Sequence, residues 1–497
     1  MLKGTTKIEL THVKTGKKEV YQHDNMITNA INDVLSLNPE AFRTFVTDYD
    51  VLFPLIPNVI GGIMLFEEAL EEDPDKYWNP NDNPIIGYSN SSASSGTDPK
   101  RGSLNVLESG PLDDGTGYRF VFDFSTSQGN GNIAALGLTS DTGGACGYGN
   151  LVNTAKGIKR YVQRSSYSNA QSEFTTFIPE AKWNADIVAF DLARNVAFAV
   201  QFDSAAEKSI IVREIPMALS SIGLLSNCSV WPDSRDSIEH VLTTQTFNAV
   251  NNYRRYGTFI ADGNGHVWGF EHANDSAGNS SGNATVNWIK IKLSDLSFEE
   301  GTWTIAATLM SFGTNPYYHY KDASAHRVTN AVIHDGYLYC VNYAQTGIYK
   351  INLSNPTDVL LMKHPDGTIV TSVTYDYNNY AHNYCGSVFN IIYDTVYFAN
   401  GYIQGDTIVP TTYTFVTQQD PSYHYPYGLR HTGKPGLRVG PFLFTYGFGQ
   451  GTGSNTYYKY WIVLMLASYL ATINNLDRPV QKTADKTMKI TYILREE

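Results

Sequence analysis

The chain has 497 residues, with 36 Lys and Arg against 48 Asp and Glu, a formal net charge of −12. At 42% hydrophobic and only 17% charged residues it is too apolar to be disordered. It has no basic block of the kind that phosphate binding requires, which excludes nucleic acid as a partner. The 34 Tyr and 41 Gly point to a β protein with many polar turns, long enough for several domains.

At the start, Ile8, Leu10 and Val13 lead through Lys14-Thr15-Gly16-Lys17 to Val20 and Tyr21, the pattern of a β-hairpin. Residues 25–37 place Met26, Ile27, Ala30, Ile31, Val34 and Leu35 at helical spacing behind Asn25 as N-cap, predicting a short helix. Residues 60–70 form an apolar run ending in acids, followed by an Asp/Asn/Pro loop and the low-complexity stretch 89–103. Residues 118–124 alternate as a strand, and 133–138 read as a buried one.

From about Trp183 to Asn400 a pattern recurs: a short apolar strand, an Asp/Asn/Gly turn, an aromatic-bearing strand and a third strand. Val188, Phe259, Val332 and Ile391 occupy equivalent points, at spacings of 71, 73 and 59. Propeller blades take ~40–50 residues, so these intervals are long for one blade and short for two. A propeller is the expected architecture, with a sandwich or jelly roll of several sheets as the alternative. Towards the end, residues 441–446 and 459–466 are apolar, 467–476 read as helix or turn, and 487–494 alternate as a last strand. That strand is expected to pair with the N-terminal hairpin, because chain ends often lie close together.

The expected fold is therefore mainly β, a central propeller-like domain of several blades with a β-sandwich-like module formed by the N- and C-terminal segments. The domain limits are 1–150, 151–435 and 436–497, the last returning to the first.

No apolar run approaches the ~20 residues of a spanning helix, and the first residues lack the continuous apolar stretch of a signal peptide, so neither membrane insertion nor export is expected. Cys146, Cys228, Cys340 and Cys385 have no close pair, which argues against a zinc site and predicts unpaired, mostly buried thiols. No cofactor is expected. Two aromatic clusters are the candidate ligand-binding residues: Tyr317, Tyr318, His319 and Tyr320, and Tyr423, His424, Tyr425 and Tyr427. Tyrosine faces stack on the apolar faces of pyranose rings while histidine bonds hydroxyls; the same residues also suit loops packed on the protein body. Asp186, Asp191, Asp262, Asp335 and Asp394 lie at strand ends, where turn-forming Asp accounts for them without a hydrolytic carboxylate pair. Asp262-Gly263-Asn264 opens like a calcium loop but lacks the closing glutamate, so a tight turn is expected.

Four phrases, IELTHVKTGKKEVYQHDNMITNAI, GGIMLFEEALEED, FVFDFSTSQGNGNIAALGLTS and YLATINNLDRPVQKTADKTMKITYIL, resemble tail proteins from phages of Gram-positive bacteria. The resemblance covers about residues 1–150 and 440–497 and extends equally to tail-derived bacteriocin particles. It implies a virion component assembled in the host cytoplasm: a tail-tip, fibre or receptor-binding protein that forms a homotrimer or other homo-oligomer. Its partners would be other tail or baseplate proteins and a bacterial cell-surface polysaccharide or protein. The chain lacks a long heptad region or Gly-X-Y shaft, which favours a compact adhesin over a stalk. A purely structural baseplate part and a glycan-cleaving tailspike are the alternatives; the expectation is a non-enzymatic protein.

Overall fold

The computed structural model describes residues 2–31, 33, 60–78, 80, 82–90, 93–139, 158–165, 186–191, 194, 196–202, 208–216, 243–251, 253, 258–271, 282–310, 331–342, 347–370, 389–398, 401–410, 418–419, 426–427, 437–440, 442–450, 458–467 and 469–496. The chain is mainly β and divides into two compact units. One comprises Met1–Lys159, Gly440–Phe442 and Leu466–Glu497, the other Arg160–Val439 and Leu443–Met465.

The first unit opens with β1 (Leu2–His12) and β2 (Lys18–Ile27), the hairpin that the sequence predicts. Gly16 has φ +68° and donates to His12 O at 2.8 Å, closing the turn in a conformation that favours glycine. The helix expected from Asn25 is corrected: β2 continues through Asn25 and Met26 to Ile27, and helical backbone begins only at Asn29. Asn25 sits opposite Gly4, and Met26 and Ile27 pair with a later strand, so ladder bonds override the local helical spacing. Then come β3 (Gly62–Phe66), β4 (Ile85–Ser89), β5 (Ser103–Leu104), β6 (Gly110–Pro111), β7 (Gly117–Phe124) and β8 (Gly131–Thr139). All of β3 is buried, as its unbroken apolar sequence requires.

β9 (Ile158–Ser165) crosses from the first unit into the second, which continues as four successive antiparallel meanders of four strands. The first is β10 (Asp186–Asp191), β11 (Val196–Phe202), β12 (Ser209–Pro216) and β13 (Thr243–Asn248). The second is β14 (Thr258–Ala261), β15 (His266–Phe270), β16 (Asn283–Lys292) and β17 (Phe298–Ala306). The third is β18 (Ala331–His334), β19 (Tyr337–Val341), β20 (Ile348–Asn352) and β21 (Asn355–Leu361). The fourth is β22 (Asn390–Ile392), β23 (Thr395–Phe398), β24 (Gly401–Gln404) and β25 (Thr407–Pro410). A two-stranded pair, β26 (Gln418–Gln419) with β27 (Pro426–Tyr427), precedes β28 (Leu437–Val439), β29 (Phe442–Gln450) and β30 (Tyr458–Ala467). The last sheet runs β28-β29-β30-β9, so its fourth strand comes from the start of the unit.

Val188, Phe259, Val332 and Ile391 each fall in the first strand of a meander, so one interval of the sequence repeat carries one four-stranded sheet. The surplus length lies in connections such as the one between β12 and β13. Alternation along the first two strands stacks the sheets on one another. Phe259 of β14 joins the core with Val200 and Val212 of the first meander, while Ile260 joins Ala331 and Ile333 of the third. On β19, Leu338 and Cys340 face the second meander, and Tyr339 and Val341 pack with Phe389 and Val396 of the fourth.

The chain then returns to the first unit with β31 (Thr472–Lys482) and β32 (Lys486–Glu496). The helix or turn expected at 467–476 is corrected: Thr472–Asn475 open β31, which pairs with β8 on both sides of an irregularity between Asn475 and Val480. The expected pairing of the last strand with the hairpin is found, β32 lying antiparallel to β1 from Leu2↔Glu496 to His12↔Lys486. The sheet order is β4-β3-β8-β31-β2-β1-β32-β7-β5, with β6 also on β7. Its two ends meet where Tyr88 of β4 donates to Lys100 O and accepts from Gly102 N, just ahead of β5, so the sheet is nearly closed into a barrel. The sides of β1 and β32 that face inward carry Ile8, Leu10, Met488, Ile490, Tyr492 and Leu494, all buried.

Candidate ligand-binding surface

Of the aromatic residues singled out in the sequence, Tyr317, Tyr318, His319, Tyr320, Tyr423, His424 and Tyr425 lie outside the described residues. Tyr427 belongs to β27, where its backbone is opposite Gln418. The five turn-type aspartates are placed as follows. Asp262 Oδ1 accepts from Asn264 N at 2.8 Å and His266 N at 3.1 Å, a tight turn in place of a calcium loop. Asp191 Oδ1 accepts from Arg194 N at 3.1 Å, and Asp394 Oδ1 accepts from the Thr395 hydroxyl at 2.8 Å. Asp335 takes a left-handed turn conformation, φ 49°, and Asp186 opens β10. Among the described residues no group of three or more His, Cys, Asp or Glu could hold a metal ion. Among them, too, no helix is long and apolar enough to cross a membrane.

An aromatic concentration that the sequence reading did not single out lies on one face of the second meander. Register brings it together: Phe270 is opposite Trp288, Trp268 opposite Lys290, and Val286 opposite Trp303. Residues directly opposite on antiparallel strands share a face, so three indoles from three strands meet. The ring centroids of Trp268 and Trp288 are 5.1 Å apart, those of Trp268 and Trp303 6.4 Å, and those of Trp288 and Trp303 6.3 Å. Gly301, opposite Trp288, makes the arrangement possible, because a Cβ there would stand 2.7 Å from the Trp288 ring. Lys290 Nζ lies 5.4 Å from the centroid of Trp268, within cation–π range.

Trp268 and Trp303 are buried and serve the core shared with the third meander; Trp288 and Lys290 keep part of their surface accessible. The backbone behind Trp288 is fixed from the other side. Glu300 accepts from Val250 N at 2.6 Å and Asn251 N at 2.9 Å, and the Tyr253 hydroxyl lies 2.9 Å from Trp288 O and 3.2 Å from Glu300 Oε2. Burial, reinforced by the charge of Glu300, pushes the Tyr253 phenol well above its ordinary range, so it stays a donor. The indole Nε1 of Trp268 is buried and has no hydrogen-bond partner. The half-sheltered indole of Trp288 can stack on an apolar ring face, and the Lys290 ammonium on the same face of β16 can donate to a hydroxyl or carboxylate.

A second cation–π pair stands one meander on: Lys350 Nζ is 4.1 Å from the centroid of Tyr337 and 2.7 Å from Asp406 Oδ1. Cys340, the described cysteine, is an unpaired thiol in the core, as expected. Burial pushes its thiol up to about 12, which removes it as a nucleophile at neutral pH.

No protein-family model matches the chain, and no curated protein matches it.

Proposed function

We propose that the protein is a non-enzymatic tail component of a phage or tail-like particle, one that binds the host cell surface. In this reading the barrel of the first unit is the mount and the second unit is a five-bladed propeller that carries the binding surfaces. The observation that carries it is the way the chain is shared between the units. Both segments that resemble phage tail proteins contribute strands to one sheet, and the second unit is inserted between the neighbouring strands β8 and β31. Thr139 and Leu470, at the exit and the return, bridge each other, so the insertion leaves and re-enters at one point. A mount interrupted at a single point by a variable insert suits a module that presents loops, the usual carriers of binding function.

The propeller reading is supported by the four stacked meanders and by the last sheet, which takes β9 from the start of the unit, a strand exchange that ties a ring shut. It is supported further by the neighbourhood of first strands, β10 beside β14, β14 beside β18, β18 beside β22, and β28 beside β10. Sugar recognition would fall to the Tyr317–Tyr320 and Tyr423–Tyr427 segments and to Trp288. Weak single sites would be multiplied by the copies on one particle.

The test is immuno-electron microscopy of intact particles with an antibody to residues 423–427. Label at the distal tip that is displaced by host cell-wall fragments is the expected result. Label along the tube or at the collar, indifferent to cell wall, would sink the proposal and leave a structural part.

A further inference from the structure

Among the described residues, the hairpin strand β2 has a free edge. β1 pairs with it from Gly4↔Asn25 to Thr11↔Lys18, while on its other side β31 reaches only Met26 and Ile27. Among the described residues no strand pairs with the outer edge between Lys18 and Asn25.

Hydrogen-bond alternation identifies which groups face outward. His12 N donates to Lys17 O across the hairpin, so odd-numbered residues from Lys17 to Asn25 turn their backbone groups towards β1. The even-numbered ones, Lys18, Val20, Gln22 and Asp24, turn theirs away, and Met26, the next in that series, is the one that meets β31. The side chains of these four are all exposed, Val20 at 52%. Edge strands left open in this way normally carry devices against pairing. Two outer strands of the second unit have them in the form of proline, Pro356 in β21 and Pro410 in β25. β2 carries charges of both signs instead, and their order is symmetric.

We propose that β2 pairs antiparallel with β2 of a second copy of this chain, about a two-fold axis at Tyr21. In that register Lys18 stands opposite Asp24 of the other copy, Glu19 opposite His23, Val20 opposite Gln22, and Tyr21 opposite itself. The two-fold repeats each contact, so opposite charges meet at both ends of the seam. Parity requires even-numbered residues to meet even-numbered ones, because only those have outward backbone groups. A register centred on Tyr21 satisfies this and uses all four, giving about eight backbone hydrogen bonds. Shifting the axis to Gln22 would put Val20 against Asp24 and call on Met26, which β31 already holds. Shifting it to Val20 would leave Asp24 outside the seam. Lys18, 3.6 Å from Glu9 Oε1 and 62% exposed, gains a second carboxylate in the pair.

The mark of this interface is a charge swap. Sedimentation velocity of the whole chain up to about 100 µM should show a dimer for a Kd in the micromolar range. Asp24→Lys or Lys18→Asp places like charges at both ends and should weaken it about tenfold or more. The double variant Lys18→Asp with Asp24→Lys should restore it. Gln22→Pro removes an outward N–H that β1 does not use, so it should abolish the dimer while circular dichroism stays unchanged. A monomeric wild-type chain, or an oligomer indifferent to Asp24→Lys and Gln22→Pro, would overturn the proposal. The inference concerns the first unit alone and stands or falls independently of host binding.

Discussion

Replacing Tyr492 by Phe removes one oxygen atom from the interior of the first unit and leaves the ring in place. That oxygen is the middle of a buried chain of polar groups across the barrel. Leu138 N of β8 donates to Thr472 Oγ1 of β31 at 3.0 Å, Thr472 is hydrogen-bonded to the Tyr492 hydroxyl of β32, and Tyr492 also meets Thr6 of β1. Thr6 Oγ1 in turn donates to Asn25 Oδ1 of β2 at 3.0 Å. Thr6, Thr472 and Tyr492 are buried, so none can turn to water instead. Without the phenol oxygen the Thr472 hydroxyl proton has no acceptor, while the Leu138 and Asn25 bonds survive. One stranded buried hydroxyl costs about 2 kcal/mol, with little added for a cavity. For a unit of about 190 residues, with ~2.1 cal/mol/K of unfolding entropy per residue, the melting temperature should fall by about 5 °C. The local assay is native-state hydrogen exchange with mass spectrometry. Peptides covering β8 and β32 should exchange about 30-fold faster in Tyr492→Phe, the equivalent of 2 kcal/mol, while β14–β21 remain unchanged. Thr472→Val should cost more, since it also strands Leu138 N, and the double variant should cost less than the two single losses together. Tyr492→Phe within ~0.5 kcal/mol of the parent, or lost protection confined to the second unit, would refute the argument.

Lys482 is 1% exposed and its ammonium donates to Ser125 O at 2.9 Å and Asn130 Oδ1 at 2.8 Å, tying β31 to the turn between β7 and β8. Burial holds the amine down to about 8. The folded value is below the unfolded one, so the unfolded chain carries the extra proton between about pH 8 and pH 10.4, and stability rises with pH across that window. The stability difference between the parent and Lys482→Met, from urea titrations, should shift in favour of the parent by about 2 kcal/mol from pH 8 to pH 10; a flat difference would contradict it. Cys340 should resist iodoacetamide at pH 8 in the native protein and react after unfolding in urea, as read by peptide mass spectrometry; native labelling would show that the core opens there.

The elements legible in the sequence were those whose alternation and turn chemistry act locally. The β1–β2 hairpin, β7 and β32 alternate with a period of two, and β8 and the first two strands of each meander are short apolar runs bounded by Gly, Asp or Asn. Met26–Ile27 and Thr472–Ile473 show no strand signal of their own, because each pair is held extended by the other. Met26 and Ile27 pair with Ile473 and Thr472 across more than four hundred residues, a contact with no local signature. The two-residue strands β5 and β6 are too short to show any period. The Trp268, Trp288 and Trp303 cluster could have been found only by aligning the meander strand against strand, because its members come together through register. Three tryptophans on three consecutive strand segments were the available signal.

The place of β31 and β32 in the sheet has a consequence for the order of events during synthesis. β1 lies between β2 and β32, so its second neighbour emerges some 470 residues after it. At ~5–20 residues per second that is a delay of roughly half a minute to a minute and a half. Over that interval the four meanders, whose partners lie close by in sequence, can form and stack, while β1 has no strand along its second edge. A nascent chain thus completes its second unit before its first. A chain halted anywhere before residue 486 lacks the strand that closes the hairpin to β7, and it is marked as unfinished by the unpaired edges of β1 and β7.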